Sequence, residues 1–210
     1  MLGKYIAQYL SQCQIVRSVL HRKFAGMTTQ EAGYYILNKL RPLYSEGEAA
    51  RIADLVMEHI TGSGKAERMI YKNAAITSGE EEMLYQFTER LLKYEPVQYV
   101  LNEAWFCGLR FYVNNQVLIP RPETEELVEW VISCCKFPVS ELSILDIGTG
   151  SGCIPVSLKR RLRKADVRAV DISPGALEVA AQNAEKLGTP ITFQQMDILN
   201  ENNWNLLPRF

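Results

Sequence analysis

The stretch Ile144-Leu145-Asp146-Ile147-Gly148-Thr149-Gly150-Ser151-Gly152 decides the fold class of this chain. An apolar run ends at an acidic residue and gives way to alternating glycines, and a helix-compatible stretch from Cys153 to Leu162 follows. This order predicts a strand, a tight turn and the N-terminus of a helix, where backbone N–H groups can approach a ligand closely. The glycines stand at 148, 150 and 152, whereas the dinucleotide-binding pattern G-x-G-x-x-G would need a glycine at Cys153.

The residues that follow extend this stretch into a βαβ alternation. We predict strands at 143–147, 167–170 and 191–194, with helices at 153–162 and 174–187 between them. Three parallel strands with the first one central make only half of an open sheet, and they leave one edge of strand 143–147 without a partner. The expectation is therefore an incomplete α/β sheet, either because the chain is truncated or because another element covers that edge.

Residues 1–95 are predicted to be all helical. Capping-box patterns mark three helix starts, and they pair Thr28 with Glu31, Ser45 with Glu48, and Ser78 with Glu81. Apolar residues at helical spacing follow each of them. We predict a small bundle of four or five short helices that serves as an accessory or substrate-recognition domain, with pure scaffolding as the alternative.

Residues 96–118 differ in composition from the helical part. Aromatic and β-branched residues are frequent in Ala104 to Val113, which indicates a β-hairpin. After a turn, Val117-Leu118-Ile119 is predicted to be a short strand that ends at Pro120. The stretch from Arg121 to Glu126 then opens a helix, because it places a proline and acidic residues in the first turn.

The bulk composition argues against several classes of protein. Lys+Arg is 23 and Asp+Glu is 24, so the net charge of -1 gives no electrostatic argument for a nucleic-acid partner. Five cysteines without a C-x-x-C pair, together with two histidines, do not have the spacing of a zinc site, and an odd cysteine count fits a reducing cytosol. No segment reaches the roughly 18 apolar residues of a membrane span, and the N-terminus lacks a signal peptide. We expect a cytoplasmic protein with no metal site, membrane contact or direct nucleic-acid partner, and the sequence leaves its oligomeric state open.

Acidic residues end or follow all three predicted strands. Asp171 lies about 20 residues beyond the glycines, where it can accept hydrogen bonds from both ribose hydroxyls of an adenosine cofactor. Its alternative role is the helix N-cap, for which Ser173 is the better candidate. Asp197 can accept from the adenine amino group with Ile198 against the adenine face, and the alternative is that it is an ordinary loop aspartate. Asp146 either anchors the glycine loop or lies near the amino-acid end of the cofactor.

This acidic set is chemically selective. It suits an adenosine that carries a cationic sulfonium and an ammonium group. It does not suit a pyrophosphate, because no Lys or Arg lies in the glycine loop or directly after Asp171. The pattern therefore favours S-adenosylmethionine over a nicotinamide dinucleotide.

Several motifs together resemble one family. The D-x-G-x-G-x-G form resembles motif I of the S-adenosylmethionine-dependent methyltransferases. Four stretches make up the whole set: Pro96-Val97-Gln98-Tyr99, Leu118-Ile119-Pro120-Arg121-Pro122-Glu123-Thr124-Glu125, Asp146 to Gly152, and Val170 to Leu177. Together they resemble the HemK/PrmC family, the protein-(glutamine-N5) methyltransferases that modify class 1 peptide release factors.

The resemblance implies a fold and a site. The fold is a Rossmann-like class I methyltransferase domain, here the N-terminal part at 119–210, after a helical domain at 1–95 and a β-hairpin linker at 96–118. The loop from Pro120 to Thr124 is expected near the mouth of the site. The implied substrate is the glutamine of a Gly-Gly-Gln motif, and the implied cofactor contacts are Gly148, Thr149, Gly150, Ser151, Gly152, Asp171, Asp197 and Ile198.

One family motif is absent from the chain. The catalytic Asn-Pro-Pro-Tyr tetrapeptide follows a fourth strand in the family, and no such tetrapeptide occurs here. We therefore expect no catalytic residue in these 210 residues and little or no methyl transfer by the chain alone. The alternatives are a non-catalytic cofactor-binding or interaction module, a nicotinamide oxidoreductase disfavoured by the glycine spacing, and a nucleic-acid adenine methyltransferase disfavoured by the neutral charge.

Overall fold

The computed structural model describes residues 26–135 and 142–207, and the chain divides into two compact units, Met1–Val97 and Gln98–Phe210. The predicted helical character of residues 1–25 lies outside the described residues. Within the described ranges, no helix is both long enough and apolar enough to span a bilayer.

The first unit is a bundle of helices over its described part, as predicted. The helices are α1 (Thr29–Leu40), α2 (Glu46–Thr61), α3 (Lys65–Ile70) and α4 (Ser78–Leu91). Their apolar faces form a core in which Ile36, Leu40, Val56, Leu84 and Leu91 have no exposed surface. Burial of aliphatic side chains of this size stabilises the bundle by about 1.5–3 kcal/mol each.

Two of the three predicted helix starts are confirmed. Thr28 caps α1 in a reciprocal capping box with Glu31, and the Ser45 side chain accepts the N–H of Glu48 at the start of α2. The third prediction is wrong by one residue, because Thr77 rather than Ser78 caps α4, and its box partner is Glu80. The sequence holds the same cap spacing in two adjacent registers, and the earlier register adds one residue to the helix.

The second unit begins within a short helix, α5 (Val97–Leu101), and the predicted hairpin follows it. Strands β1 (Glu103–Phe106) and β2 (Leu109–Tyr112) are antiparallel. The two residues of the turn, Cys107 and Gly108, both have positive φ, which is the backbone that a tight two-residue hairpin requires. Phe106 and Phe111 are fully buried with ring centroids 6.2 Å apart, so the hairpin contributes to the core of this unit.

The predicted strand at Val117 to Ile119 is wrong. This segment follows a turn in which Val117 N–H donates to the Asn114 carbonyl at 3.2 Å, and it pairs with no strand in the described part of the chain. Val117 and Ile119 instead pack their side chains in a cluster with Ala176 and Val179. Side-chain burial therefore accounts for the apolar pattern without any ladder of backbone hydrogen bonds.

The rest of the second unit is the predicted βαβ alternation. Helix α6 (Pro122–Cys134) begins with its proline in the first turn, and it is followed by β3 (Ser143–Ile147), α7 (Cys153–Arg161), β4 (Asp166–Asp171), α8 (Pro174–Lys186), β5 (Thr192–Gln195) and a 3₁₀ helix (Glu201–Leu206). The strands form a parallel sheet in the order β3-β4-β5. Among the described residues β3 pairs only with β4, so its other edge has no strand against it, as predicted.

Candidate cofactor site

The glycine loop, residues 148–152, leaves the carboxyl end of β3 and enters α7. The N–H groups of Gly148 and Thr149 donate to the Val170 carbonyl at 2.9 and 3.1 Å, so the loop starts on the neighbouring strand β4. Gly148, Gly150 and Gly152 have φ of 76°, 54° and 77°. A residue with a side chain is strained in this region, which explains why glycine recurs at alternate positions.

The three glycines have two different surroundings. A Cβ added at Gly148 or Gly150 would meet no heavy atom within 4 Å. A Cβ added at Gly152 would lie 3.0 Å from the Ala180 Cβ and 3.1 Å from its Cα. Gly148 and Gly150 therefore border open space that a ligand can enter, whereas Gly152 lets the loop pack directly on α8.

Asp171, the last residue of β4, holds the glycine loop. Its Oδ2 accepts the Gly150 N–H at 2.9 Å, and its Oδ1 accepts the Ser173 N–H at 2.9 Å. The Ser173 side chain caps α8 by accepting the N–H of Ala176, so the prediction that Ser173 is the better cap is confirmed. A carboxylate has about four acceptor positions, so Asp171 keeps acceptor capacity for a ligand while it orders the loop.

Asp146 lies beneath the loop in a poorly solvated position. Burial raises the pKa of its carboxyl, the nearby Thr149 hydroxyl opposes this effect, and the charge of Asp171 raises the pKa further. No hydrogen bond of regular geometry reaches the Asp146 Oδ2 or the Thr149 Oγ1, although both atoms are buried. Buried polar atoms that lack well-formed hydrogen bonds are rare, so these two oxygens are candidates for contact with a ligand.

The carboxyl end of β5 brings Asp197 to the same edge of the sheet. Met196 N–H donates to the Asp171 carbonyl at 2.9 Å, so the chain runs alongside Asp171 as it leaves β5. Asp197 is exposed, its Oδ1 accepts the Leu199 N–H at 3.0 Å, and the carbonyl of Ile198 accepts the Trp204 indole N–H at 2.8 Å. The segment is thus held by its own turn, and the proposed adenine contacts of Asp197 and Ile198 stay predictions.

Sequence reasoning missed one buried polar residue beside the loop. Asn183 has no exposed surface, and its side chain hydrogen-bonds to the backbone of both Ser151 and Tyr112. The available signal was its position on the otherwise apolar face of α8, three residues after Ala180 and one before Ala184. A buried asparagine on such a face needs partners from other elements.

The substitution Asp146→Asn is expected to stabilise the ligand-free chain at neutral pH. The pKa of Asp146 is raised in the folded state, so its ionisation opposes folding once the pH exceeds the ordinary aspartate range, and this opposition disappears in acid. Thermal unfolding at pH 7 should therefore show a higher Tm for the variant, and the difference should shrink as the pH falls toward 4. An equal difference at both pH values would contradict the assignment of the effect to this ionisation.

Two family models match the chain, the first mainly in the helical unit and the second within the other unit. The model of the PrmC N-terminal domain matches residues 36–101, and the model of a methyltransferase domain matches residues 144–206. The release factor glutamine methyltransferase of Flavobacterium psychrophilum is 48% identical over 127 residues. The chain belongs to the HemK/PrmC family. The family match agrees with the predicted Rossmann-like methyltransferase fold and with S-adenosyl-L-methionine as the cofactor.

Other relatives of this HemK/PrmC chain have the same name. The release factor glutamine methyltransferase of Bacteroides thetaiotaomicron is 37% identical over 166 residues, and that of Bacillus subtilis is 40% identical over 163 residues. The three alignments cover 60%, 79% and 75% of this chain and 43%, 59% and 56% of the relatives. The chain thus spans about half the length of the curated relatives it matches.

Solved structures match more distantly. The tRNA (uracil-54, C5)-methyltransferase of Pyrococcus abyssi, solved with S-adenosyl-L-homocysteine, is 20% identical with a TM-score of 0.38. The alignment covers 45% of this chain and 23% of the Pyrococcus abyssi chain. No conclusion about the site follows from a likeness this low.

Proposed function

We propose that this chain carries the cofactor-binding half of a protein-(glutamine-N5) methyltransferase that acts on class 1 peptide release factors. The observation that carries the proposal is the glycine loop held by Asp171, with open space over Gly148 and Gly150. The names of the relatives support the choice of substrate, which is the glutamine of a Gly-Gly-Gln motif. Because class 1 release factors work in translation termination, we also infer a cytoplasmic location.

The residues at the three strand ends fit S-adenosylmethionine part by part. Asp171 accepts from the ribose hydroxyls, as acidic residues at this position of α/β folds do. The buried carboxyl of Asp146 and the Thr149 hydroxyl beside it bind at the cationic amino-acid end. Asp197 accepts a hydrogen bond from the adenine amino group, and Ile198 packs against the adenine face. When bound, the cofactor supplies an electrophilic methyl group on its sulfonium.

The acidic character of the site agrees with a cationic ligand. The pKa of Asp146 is raised chiefly because its carboxyl is buried, and a nearby ammonium or sulfonium would favour the ionised form. The ligand charge therefore relieves the electrostatic penalty of ionising the buried Asp146 carboxyl. A pyrophosphate would increase the same penalty, which argues against the nicotinamide alternative.

We infer that this chain does not itself supply the residues that position the target amide. A carboxamide nitrogen is a poor nucleophile because its lone pair is delocalised, so it must be held in line with the methyl group by acceptors for its hydrogens. In the family, the Asn-Pro-Pro-Tyr tetrapeptide provides those acceptors, and these 210 residues contain no such tetrapeptide. We therefore expect cofactor binding without turnover from the chain as it stands.

The test is a calorimetric titration of the chain with S-adenosylmethionine, followed by a transfer assay. A chimaera that adds the C-terminal half of the Flavobacterium psychrophilum relative should methylate a release factor, with a mass gain of one methyl group on the Gly-Gly-Gln peptide. Binding without transfer by the chimaera would favour the second candidate, a non-catalytic cofactor-binding module, which the missing tetrapeptide also suggests. Absence of binding to both proteins would remove the cofactor assignment.

We further propose that the helical unit recognises the protein substrate. A cleft of about 510 Å³ lies between α1, α2 and α3. Tyr34 and Met69 line the cleft, and 57% and 69% of their surfaces are exposed. Large apolar side chains with this much exposed surface are typical of interaction sites. Lys65 and Lys72 also line the cleft and make no ion pair within the described part of the chain. This chemistry suits an apolar segment with acidic flanks.

The substitution Met69→Ser is expected to weaken binding of a release factor to the chain by roughly three- to tenfold, because it removes an apolar contact of about 1 kcal/mol. Leu55→Ser is the matched control, since Leu55 is 41% exposed on α2 and does not line the cleft. Interferometry with an immobilised release factor measures the binding affinity of both variants. Equal losses in the two variants would contradict a role for the cleft.

A further inference from the structure

Asn183 connects two segments that are far apart in the sequence. It lies in the third turn of α8 with no exposed surface. Its Oδ1 accepts the Tyr112 N–H at 2.7 Å, and its Nδ2 donates to the Tyr112 carbonyl at 2.9 Å. This pair of bonds reproduces what a neighbouring strand would offer to β2, so the amide acts as a one-residue extension of the hairpin sheet.

The second hydrogen of the same amide is donated to the backbone of the glycine loop. The Asn183 Nδ2 also donates to the Ser151 carbonyl at 2.9 Å. Both donors of the amide and one lone pair of its oxygen are therefore engaged with backbone groups of two different elements. No other uncharged side chain of this size offers two donors and an acceptor from one planar group.

The bond to Ser151 acts at the point where the loop turns into α7. Asp171 holds the loop from one side through the Gly150 N–H, and Ala180 packs against Gly152 from the other. Ser151 lies between these two contacts and is itself 2% exposed. Fixing its carbonyl sets the orientation of the peptide plane that joins Ser151 to Gly152, in a stretch where both flanking glycines have positive φ.

We propose that Asn183 is a positioning residue for the cofactor: it holds the glycine loop in its ligand-binding shape by tying the Ser151 carbonyl to the backbone of β2. The inference rests on the proposed function of the loop as the S-adenosylmethionine site. Asn183 touches neither the methyl donor nor the substrate in this account. Its effect is on loop geometry, and through the loop on cofactor affinity.

The informative variant is Asn183→Asp, which keeps the shape of the side chain but loses both donors. Its carboxylate would face the carbonyl oxygens of Ser151 and Tyr112 and repel both. Asn183→Ser is the second variant, for use where the aspartate variant does not fold. Thr189→Val is the matched control, because Thr189 is 6% exposed and donates one hydrogen bond from its hydroxyl, to the Ala184 carbonyl at 3.1 Å, without touching the loop.

The experiment combines two readouts on the full 210-residue chain. Hydrogen–deuterium exchange followed by NMR reports the amides of Thr149, Gly150 and Gly152 in the loop and of Tyr112 in β2. Calorimetry with S-adenosylhomocysteine as the probe reports affinity. For Asn183→Asp we expect faster exchange at both segments and an affinity loss of about tenfold or more, since a buried hydrogen bond and its geometry are lost. Thr189→Val should leave the loop exchange and the affinity unchanged.

The outcomes separate this inference from the proposed function. A folded Asn183→Asp variant with unchanged loop exchange overturns the positioning role, whatever the affinity. Faster loop exchange together with wild-type affinity also overturns it, because the loop shape would then not matter to the ligand. If the wild-type chain itself binds no S-adenosylhomocysteine, the proposed function fails for this chain, and the exchange data still decide whether Asn183 holds the loop.

Discussion

Asp171→Ala is expected to weaken the binding of S-adenosylmethionine by about 10- to 150-fold, which corresponds to about 1.5–3 kcal/mol. The carboxylate has two roles that are lost together. It accepts the N–H groups of Gly150 and Ser173, and it is the proposed acceptor for the ribose hydroxyls. Isothermal titration of the wild-type and variant chains measures the difference directly.

The matched control for this prediction is Asp166→Ala. Asp166 lies at the opposite end of the same strand, where it is exposed and pairs with Arg168 at 3.0 Å. Exposed ion pairs contribute little, so its removal should leave the affinity within about twofold. An Asp171→Ala chain that is folded and binds the cofactor as tightly as the wild type would refute both the ribose contact and the role of the carboxylate in ordering the loop.

Gly152→Ala is expected to destabilise the second unit by roughly 2–5 kcal/mol. The positive φ of 77° costs about 1–2 kcal/mol for a residue with a side chain. The added methyl group also meets the Ala180 Cβ at 3.0 Å and the backbone of α8, and overpacking of this kind costs about 1–3 kcal/mol. All three tryptophans lie in the second unit, so urea unfolding followed by tryptophan fluorescence reports this unit selectively.

The substitution Gly188→Ala separates the cost of backbone strain from the cost of overpacking. Gly188 has a similar φ of 65°, but a Cβ added there would meet nothing within 4 Å. Its substitution should therefore cost only the backbone strain, about 1–2 kcal/mol. Equal losses in the two variants would mean that α8 moves to accommodate the methyl group and that the close approach of the loop is not a constraint.

The parts of the fold that the sequence predicts well are those that local chemistry decides. The bounds of β3 and the start of α8 at Pro174 are where the apolar run, the glycines and the Ser173 cap place them. The glycine loop follows from the same local signals, because each positive φ is a property of one residue. Neighbouring residues determine such features, and contacts with distant parts of the chain are not needed to predict them.

The features that the sequence does not predict depend on partners far along the chain. Val117 to Ile119 has the composition of a strand, but whether it pairs depends on what lies beside it, and in this fold its side chains pack on α8 instead. The backbone partners of Asn183 at Ser151 and Tyr112 are 32 and 71 positions away. The burial of the Asp146 carboxyl, which raises its pKa, is likewise a property of the assembled site and has no signature in the sequence.

The order of the strands also has a consequence for how the chain acquires its structure. The order β3-β4-β5 is the order of synthesis, and the paired residues lie only 23 positions apart in Ser143 and Asp166 and 24 positions apart in Arg168 and Thr192. The entropic cost of closing loops of this length is modest, because it grows only slowly with the number of residues. Each strand can therefore dock on its predecessor as it leaves the ribosome, so the glycine loop and Asp171 can meet while synthesis continues.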